Sequence, residues 1–182
     1  MSTRTILSAA EFARTGPETD DCELVRGEVV AMPPAKGRHG AVCMKVGFLL
    51  MNYLRHLGRG VVICNDSGLL TEKNPDTVRG VDVALFLNPT WPEGEVPDAY
   101  IEEPPTLAVE VRSTEQNWRE LQTKTHEYLN MGVLMVWIID PTVKRITVFR
   151  PDQGPEIFAA ENELDGGEIL PGFRCRVAEF FS

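Results

Sequence analysis

Apolar runs broken by glycine, proline and asparagine divide the chain into many short strands and a few helices. Leu7 to Arg14 reads as a short helix, with Ser8 as its cap, Glu11 as capping-box partner and Phe12 as apolar anchor; Gly16-Pro17 ends it. Cys22 to Val25 and Glu28 to Met32 flank Arg26-Gly27, a two-residue hairpin signal. That register sets Leu24 opposite Val29 and Glu23 opposite Val30, which leaves Glu23 facing solvent or turned toward a site. Pro33-Pro34 closes the hairpin, and Lys36 to Gly40 reads as a loop. From Ala41 to Leu57 the period is helical, with Val42, Val46, Leu49, Tyr53 and Leu57 on one face and Gly58 as terminator.

Val61 to Cys64 and Gly68 to Thr71 follow as strands about a short turn, then the loop Lys73 to Asp76. Arg79 to Phe86 and Leu107 to Ser113 are β-branched runs, each interrupted by one carboxylate, Asp82 in the first and Glu110 in the second. The Pro- and acid-rich connection from Asn88 to Pro105 has no period and reads as a surface excursion. Glu115 to Met131 is a predicted helix stopped by Gly132, its apolar face made by Trp118, Leu121, Thr125, Tyr128 and Leu129, with Lys124 at the border. Val133 to Asp140 is the most apolar strand and is expected at the centre, with Asp140 capping the turn at Pro141; Trp137 within it reads as core. Arg145 to Arg150 returns as a hairpin, Glu156 to Ala160 extends the sheet, and Val177, Phe180 and Phe181 end the chain on the core. Strands interleaved with helices predict a mixed α/β layer fold, a central mixed sheet flanked by helices with an N-terminal β-hairpin. No repeat or linker divides it, so residues 1–182 are expected to form a single domain.

Charge and cysteine usage narrow the setting. The net charge of −9 argues against a bulk electrostatic grip on nucleic acid. Its distribution is uneven: no acid occurs between Val29 and Asn65, and no Lys or Arg between Pro151 and Phe173. The basic stretch reads as a phosphate-facing surface or as the complement of an acidic face on the same molecule or a second subunit. The four cysteines show no C-x-x-C pair and, on this reading, no histidine at ligand spacing, so reduced thiols in a cytoplasmic protein are expected. No secretory leader and no apolar run of membrane-spanning length are visible.

A carboxylate inside a doubly covered strand is costly unless paired or bound to a cation. Asp82 and Glu110 therefore stand as ligands for a hard divalent ion, Mg²⁺ or Mn²⁺, or as members of ion pairs with Arg79 or Arg112. Spacing alone weighs the two equally. Lys124 can run its stem along the core and bring its ammonium to Glu110. His39 is an outside candidate at the mouth of the second helix; His56 and His126 fall on polar helix faces.

Several segments carry a family likeness: Glu23-Leu-Val-Arg-Gly-Glu28, Pro33-Pro34 with His39-Gly40, Arg79-Gly-Val-Asp-Val-Ala84 and Pro105-Thr-Leu-Ala-Val-Glu-Val-Arg-Ser113. Lys124 with Glu127-Tyr128, Gly132 to Asp140 and Leu170-Pro-Gly-Phe173 continue it. On these the chain resembles the PD-(D/E)xK nuclease superfamily and, within it, the Uma-type restriction endonuclease family. The resemblance implies a restriction-endonuclease-like core, a Mg²⁺ or Mn²⁺ site from Asp82 and Glu110, a catalytic lysine at Lys124 and an acidic helper at Glu23. It also implies a homodimer and phosphodiester hydrolysis in nucleic acid, expected to be DNA. Two positions depart from the pattern. Val81 replaces the proline before the first aspartate, and Arg112 stands where the superfamily lysine is named, leaving Arg112 at most a phosphate contact. The competing class is a nuclease-fold dimer that binds or scaffolds without turnover, motivated by the acidic charge and the lack of a separate nucleic-acid reading head.

Overall fold

In the computed structural model, residues 6–16, 21–92, 95–114 and 116–182 are described. The chain opens with a single helical turn, α1 (Ala9–Phe12), then the hairpin β1 (Cys22–Val25) and β2 (Glu28–Ala31), and the long helix α2 (Gly37–Leu57). A second, longer hairpin follows, β3 (Val61–Glu72) and β4 (Thr77–Phe86), and then β5 (Leu107–Val111). Helix α3 (Trp118–Met131) leads to β6 (Met135–Asp140), β7 (Arg145–Phe149) and β8 (Glu156–Ala159). The small strands β9 (Glu163–Asp165) and β10 (Arg174–Arg176) and a 3₁₀ turn over Val177–Phe181 complete it.

Eight strands form one sheet in the order β2-β1-β4-β5-β6-β7-β8, with β3 on β4. β5 and β6 are parallel and the remaining pairs antiparallel, so the sheet is mixed, as the sequence pattern predicts. Parallel neighbours need a crossover, and α3 supplies it. The apolar stripe Val42, Val46, Leu50 and Leu54 lays α2 on one face of the sheet, against Val83, Leu85, Val109, Val111 and Trp137, with Phe173 and Phe180 closing the layer. Helix α3 covers the other face through Tyr128 on Ala84, Ala108 and Val136. A third small cluster seats Phe12 of α1 on Leu24, Leu70 and Val78.

Local signals explain most element ends. Ser8 and Glu11 form the predicted capping box, Glu23 pairs with Val30 and Leu24 with Val29, and Gly132 ends α3 at φ 109°. Differences have identifiable causes. Helix α2 begins at Gly37, four residues before the predicted Ala41, because its first turn, Gly-Arg-His-Gly, has no apolar residue to reveal the period. The predicted turn between Cys64 and Gly68 is a bulge inside one continuous strand: Asn65 and Asp66 adopt φ 69° and 53°, and β3 stays paired with β4 on both sides of them. Helix α3 starts at Trp118, where Asn117 caps it by accepting from the Arg119 N–H; the predicted start at Glu115 lies outside the described residues, as does Pro17. The connection before Pro105 is not wholly superficial, since Ile101 is buried and bridges Leu69. The pairing of β9 with β10 was not foreseen; three-residue strands carry too little alternation to be recognised. Among the described residues no helix is long and apolar enough to cross a membrane.

Candidate active site

Strand β4 carries the site because one of its edges is divided. β3 runs along the other edge from Val61↔Phe86 to Glu72↔Thr77. On the divided edge β1 pairs only at Leu24↔Val78, and β5 pairs over Val83 to Leu85. Between those contacts, Arg79 to Asp82 border no strand, and the sheet opens into a fork. Continued by one residue, the β4–β5 register sets Asp82 opposite Glu110, both on the α3 side that Ala84 and Ala108 share.

A fork strands backbone groups, and the polar side chains nearby satisfy them. The Gly80 N–H donates to Glu23 Oε1 at 3.1 Å, and the Gly80 carbonyl accepts from Lys124 Nζ at 3.1 Å. The Val111 N–H donates to Asp82 Oδ2 at 2.5 Å. Lys124 Nζ also lies 2.8 Å from Glu23 Oε1 and 3.2 Å from Glu110 Oε2, so three oxygens face its three N–H bonds. Tyr128 donates its hydroxyl to Glu110 Oε1 at 2.6 Å, and His39 Nε2 sits 3.0 Å from Asp82 Oδ1. Behind these, Arg79 grips Glu127 through two parallel bonds of 2.6 and 2.7 Å and reaches Glu23 Oε2 at 2.8 Å.

The four sequence candidates thus come together: Glu23, Asp82, Glu110 and Lys124 all line one cleft of about 470 Å³. Of the two orientations open to Glu23, the structure shows the inward one. The ion pairs weighed for Asp82 and Glu110 do not form as expected, since Arg79 serves Glu23 and Glu127. Arg112 bonds Asp140 at 2.7 Å and stacks 5.9 Å over Trp118, so it stands outside the group. Asp140 also accepts from the Thr142 N–H, the turn cap the sequence suggests. Trp137 is core, and His56 and His126 are exposed.

Burial makes this group electrostatically tense. Glu23, Asp82, Glu110 and Glu127 are buried carboxylates, and Arg79 and Lys124 are the buried permanent cations among the described residues. Fully ionised, these six carry two negative charges in excess, of which half-buried His39, raised by its bond to Asp82, offsets one when protonated. The effect shows at Glu110, only 2% exposed, whose carboxyl is pushed up to about 7; burial raises it, Lys124 pulls it back, and Asp82 raises it further. Burial alone would lower Lys124, but Glu110 and Glu23 more than reverse this and hold it firmly protonated.

Sequence reasoning missed Asp66 and Tyr128. The bulge in β3 turns Asp66 toward Asp82, and its carboxyl is raised by burial and by the Asp82 charge, although the residue as a whole is exposed. No local signal marks Asp66, because only the β3–β4 register brings it to the fork. Tyr128 reads as apolar core, and its ring is, but its hydroxyl serves Glu110. Sequence reasoning also found no histidine at ligand spacing from a cysteine. With α2 starting at Gly37, His39 and Cys43 stand one helical turn apart.

The chain is thus a mixed α/β fold that gathers buried acids and a lysine at a forked strand. A putative nuclease of the DUF820 group from Anabaena variabilis has the same fold, with a TM-score of 0.82 at 19% identity over 96% of this chain and 97% of that one. No curated protein matches the chain. The chain belongs to the Uma2 family, described as "putative restriction endonuclease", whose pattern matches residues 9–178.

Proposed function

We propose that this protein is a single-domain, divalent-metal-dependent endonuclease that hydrolyses phosphodiester bonds in DNA. The observation that carries the reading is the excess of buried carboxylate over buried cation at the fork, opening on a cleft. Protein interiors do not hold uncompensated charge without a counter-ion or a proton. Oxygen donors only, from Asp82 and Glu110, fit Mg²⁺ or Mn²⁺. When bound, such an ion supplies Lewis-acid polarisation of the phosphate and an activated water.

The chain's own residues do the rest. Glu110 and Glu23 favour the protonated form of Lys124, which suits it to act as a charge. Its role is a fixed positive charge beside the scissile phosphate, reached by exchanging one of its three oxygen partners for a phosphate oxygen. Glu23 is a positioning residue that holds Lys124 and the Gly80 backbone, and Arg79 with Glu127 holds Glu23. Tyr128 orients the Glu110 carboxyl.

The family also suggests a homodimer. In support, α2 presents an unpartnered apolar stripe, Met44, Phe48 and Met51, exposed at 72%, 61% and 59%. Light scattering on the wild type and on Phe48→Glu tests it.

Plasmid nicking with Mn²⁺ or Mg²⁺ tests the nuclease reading. The wild type is expected to cleave only with metal, and Asp82→Asn to lose at least roughly two orders of magnitude of rate. Equal rates for the two proteins would leave the competing reading, a binding module that keeps the fold without turnover.

A further inference from the structure

Beside the oxygen-lined part of the cleft lies a second group of different chemistry, contributed by the first turns of α2. A ring nitrogen of His39, Sγ of Cys43 and a carboxylate oxygen of Asp82 all lie within 4.8 Å of one another. His39 and Cys43 are four residues apart, which places both on one face of the helix. The His39 ring is tied through Nε2 to Asp82 Oδ1 at 3.0 Å, while its other nitrogen, Nδ1, is buried with no hydrogen-bond partner among the described residues. Nε2, the ring nitrogen that faces Asp82, is the one an ion shared with that carboxylate would use, and the Cys43 thiol stands beside both. His39 and Asp82 also line the open cleft, so solvent and ions reach them.

We propose that His39, Cys43 and Asp82 form a distinct binding site for a thiophilic divalent transition ion, with Zn²⁺ as its type. One nitrogen, one sulfur and one oxygen donor, with a coordination position left toward the cleft, match the three-ligand open arrangement that zinc accepts and Mg²⁺ does not. Donors on a tetrahedral zinc stand roughly 3.3–3.6 Å apart, so closure from a spread of up to 4.8 Å requires side-chain movement within the cluster. Binding breaks the Cys43 S–H bond: the sulfur keeps the electron pair and ligates the ion, and the proton passes to buffer. His39 ligates through Nε2 as the neutral tautomer protonated at Nδ1, and any second ring proton likewise passes to buffer. Burial and the nearby carboxylates keep that thiol protonated in the free protein, so the ion itself must draw the proton off. Because Asp82 is shared with the oxygen-lined site, a thiophilic ion here competes for the carboxylate that the nuclease reading assigns to Mg²⁺. Zn²⁺ would then act as an inhibitor.

Cobalt(II) reports on the site independently of any cleavage. Titration of the full chain is expected to give one equivalent of Co²⁺ with a thiolate-to-cobalt charge-transfer band, displaced by Zn²⁺ and not by excess Mg²⁺. Cys43→Ser should abolish the band and weaken binding at least roughly tenfold, whereas Cys64→Ser, which removes an exposed thiol, should keep it. Glu110→Gln should also keep the band while losing Mg²⁺-dependent cleavage, so this site and the nuclease reading fail separately. Absence of the band in the wild type, or its survival in a Cys43→Ser protein with an unchanged melting temperature, overturns the proposal.

Discussion

Lys124→Met removes the ammonium on which two buried carboxylates and one backbone carbonyl depend, while leaving an apolar stem of similar length. Lys124 is 6% exposed, and its Nζ faces Glu23 Oε1, Glu110 Oε2 and the Gly80 oxygen. Removing one member of a buried ion pair typically costs about 3–5 kcal/mol. The site divides that cost into a constant and a pH-dependent part. Glu110 has an ordinary value of 4.5 and stands at about 7 in the fold, so wild-type stability already declines between those pH values, as the unfolded chain releases a proton that the folded one keeps. Without Lys124 the Glu110 value rises further, and the decline continues above pH 7. The stability curves of the two proteins therefore run parallel below pH 7 and diverge above it. At one pH unit above 7 the Glu110 share is capped at about 1.4 kcal/mol, because the group can take a proton rather than stay charged. The rest, about 2–3 kcal/mol, comes from Glu23 and the Gly80 carbonyl and is present at either pH. Denaturant unfolding of both proteins at pH 6, 7 and 8 measures this. The melting temperature should drop by roughly 10 °C at pH 8. A loss below 1 kcal/mol, or a difference that does not grow above pH 7, would refute the account of Glu110 as a carboxyl held near neutrality by its lysine.

Three further outcomes follow from the same contacts. Tyr128→Phe removes the hydroxyl that favours ionised Glu110, so stability should fall by about 1–2 kcal/mol and the acid limb of any cleavage profile should move to higher pH; an unmoved limb would count against Glu110 as the titrating group. Mn²⁺ must displace the Glu110 proton below about pH 7, so calorimetry should show affinity rising between pH 6 and 7, by up to roughly tenfold per unit, with proton uptake by buffer; Glu110→Gln should flatten that dependence. Gly68→Ala would put a methyl 2.4 Å from the Tyr100 ring, and thermal melts should show a loss of about 1–3 kcal/mol through displacement of the ring that stacks on Phe12.

What the sequence disclosed and what it hid divide along a physical line. Apolar periodicity is local, so α2, α3, the β1–β2 and β6–β7 hairpins and the apolar runs that place Asp82 and Glu110 in strands could all be read directly. The convergence of Glu23 on Lys124 is not local: it depends on β1 reaching β4 at a single residue pair, which no pattern within either strand encodes. Asp66 was lost for the same reason. The His39–Cys43 spacing was lost for a different one, since it is legible only if α2 is known to include its polar first turn. A start placed at Ala41 turns a helical i, i+4 pair into a loop residue and a helix residue. One boundary error of four residues was enough to hide a cluster of ligand-type side chains.

The fork gives its polar side chains a structural duty of their own. Glu23 and Lys124 satisfy the backbone of Gly80 in β4, and Asp82 satisfies the Val111 N–H of β5 across the fork. A descendant of this fold that had lost turnover would still need them, because an unpaired buried amide or carbonyl costs about 1–3 kcal/mol. Their presence is therefore expected in an enzyme and in a scaffold alike. The charge balance is different. Backbone satisfaction calls for one acceptor at Gly80 N–H and one at Val111 N–H, which neutral glutamine and asparagine could supply. Glu110 satisfies no such backbone group: it accepts from Tyr128 and faces Lys124, and burial still pushes its carboxyl up to about 7. Under the proposed function a bound cation offsets the cost of burying that carboxylate, so Mn²⁺ is expected to stabilise the wild type against unfolding more than it stabilises Glu110→Gln.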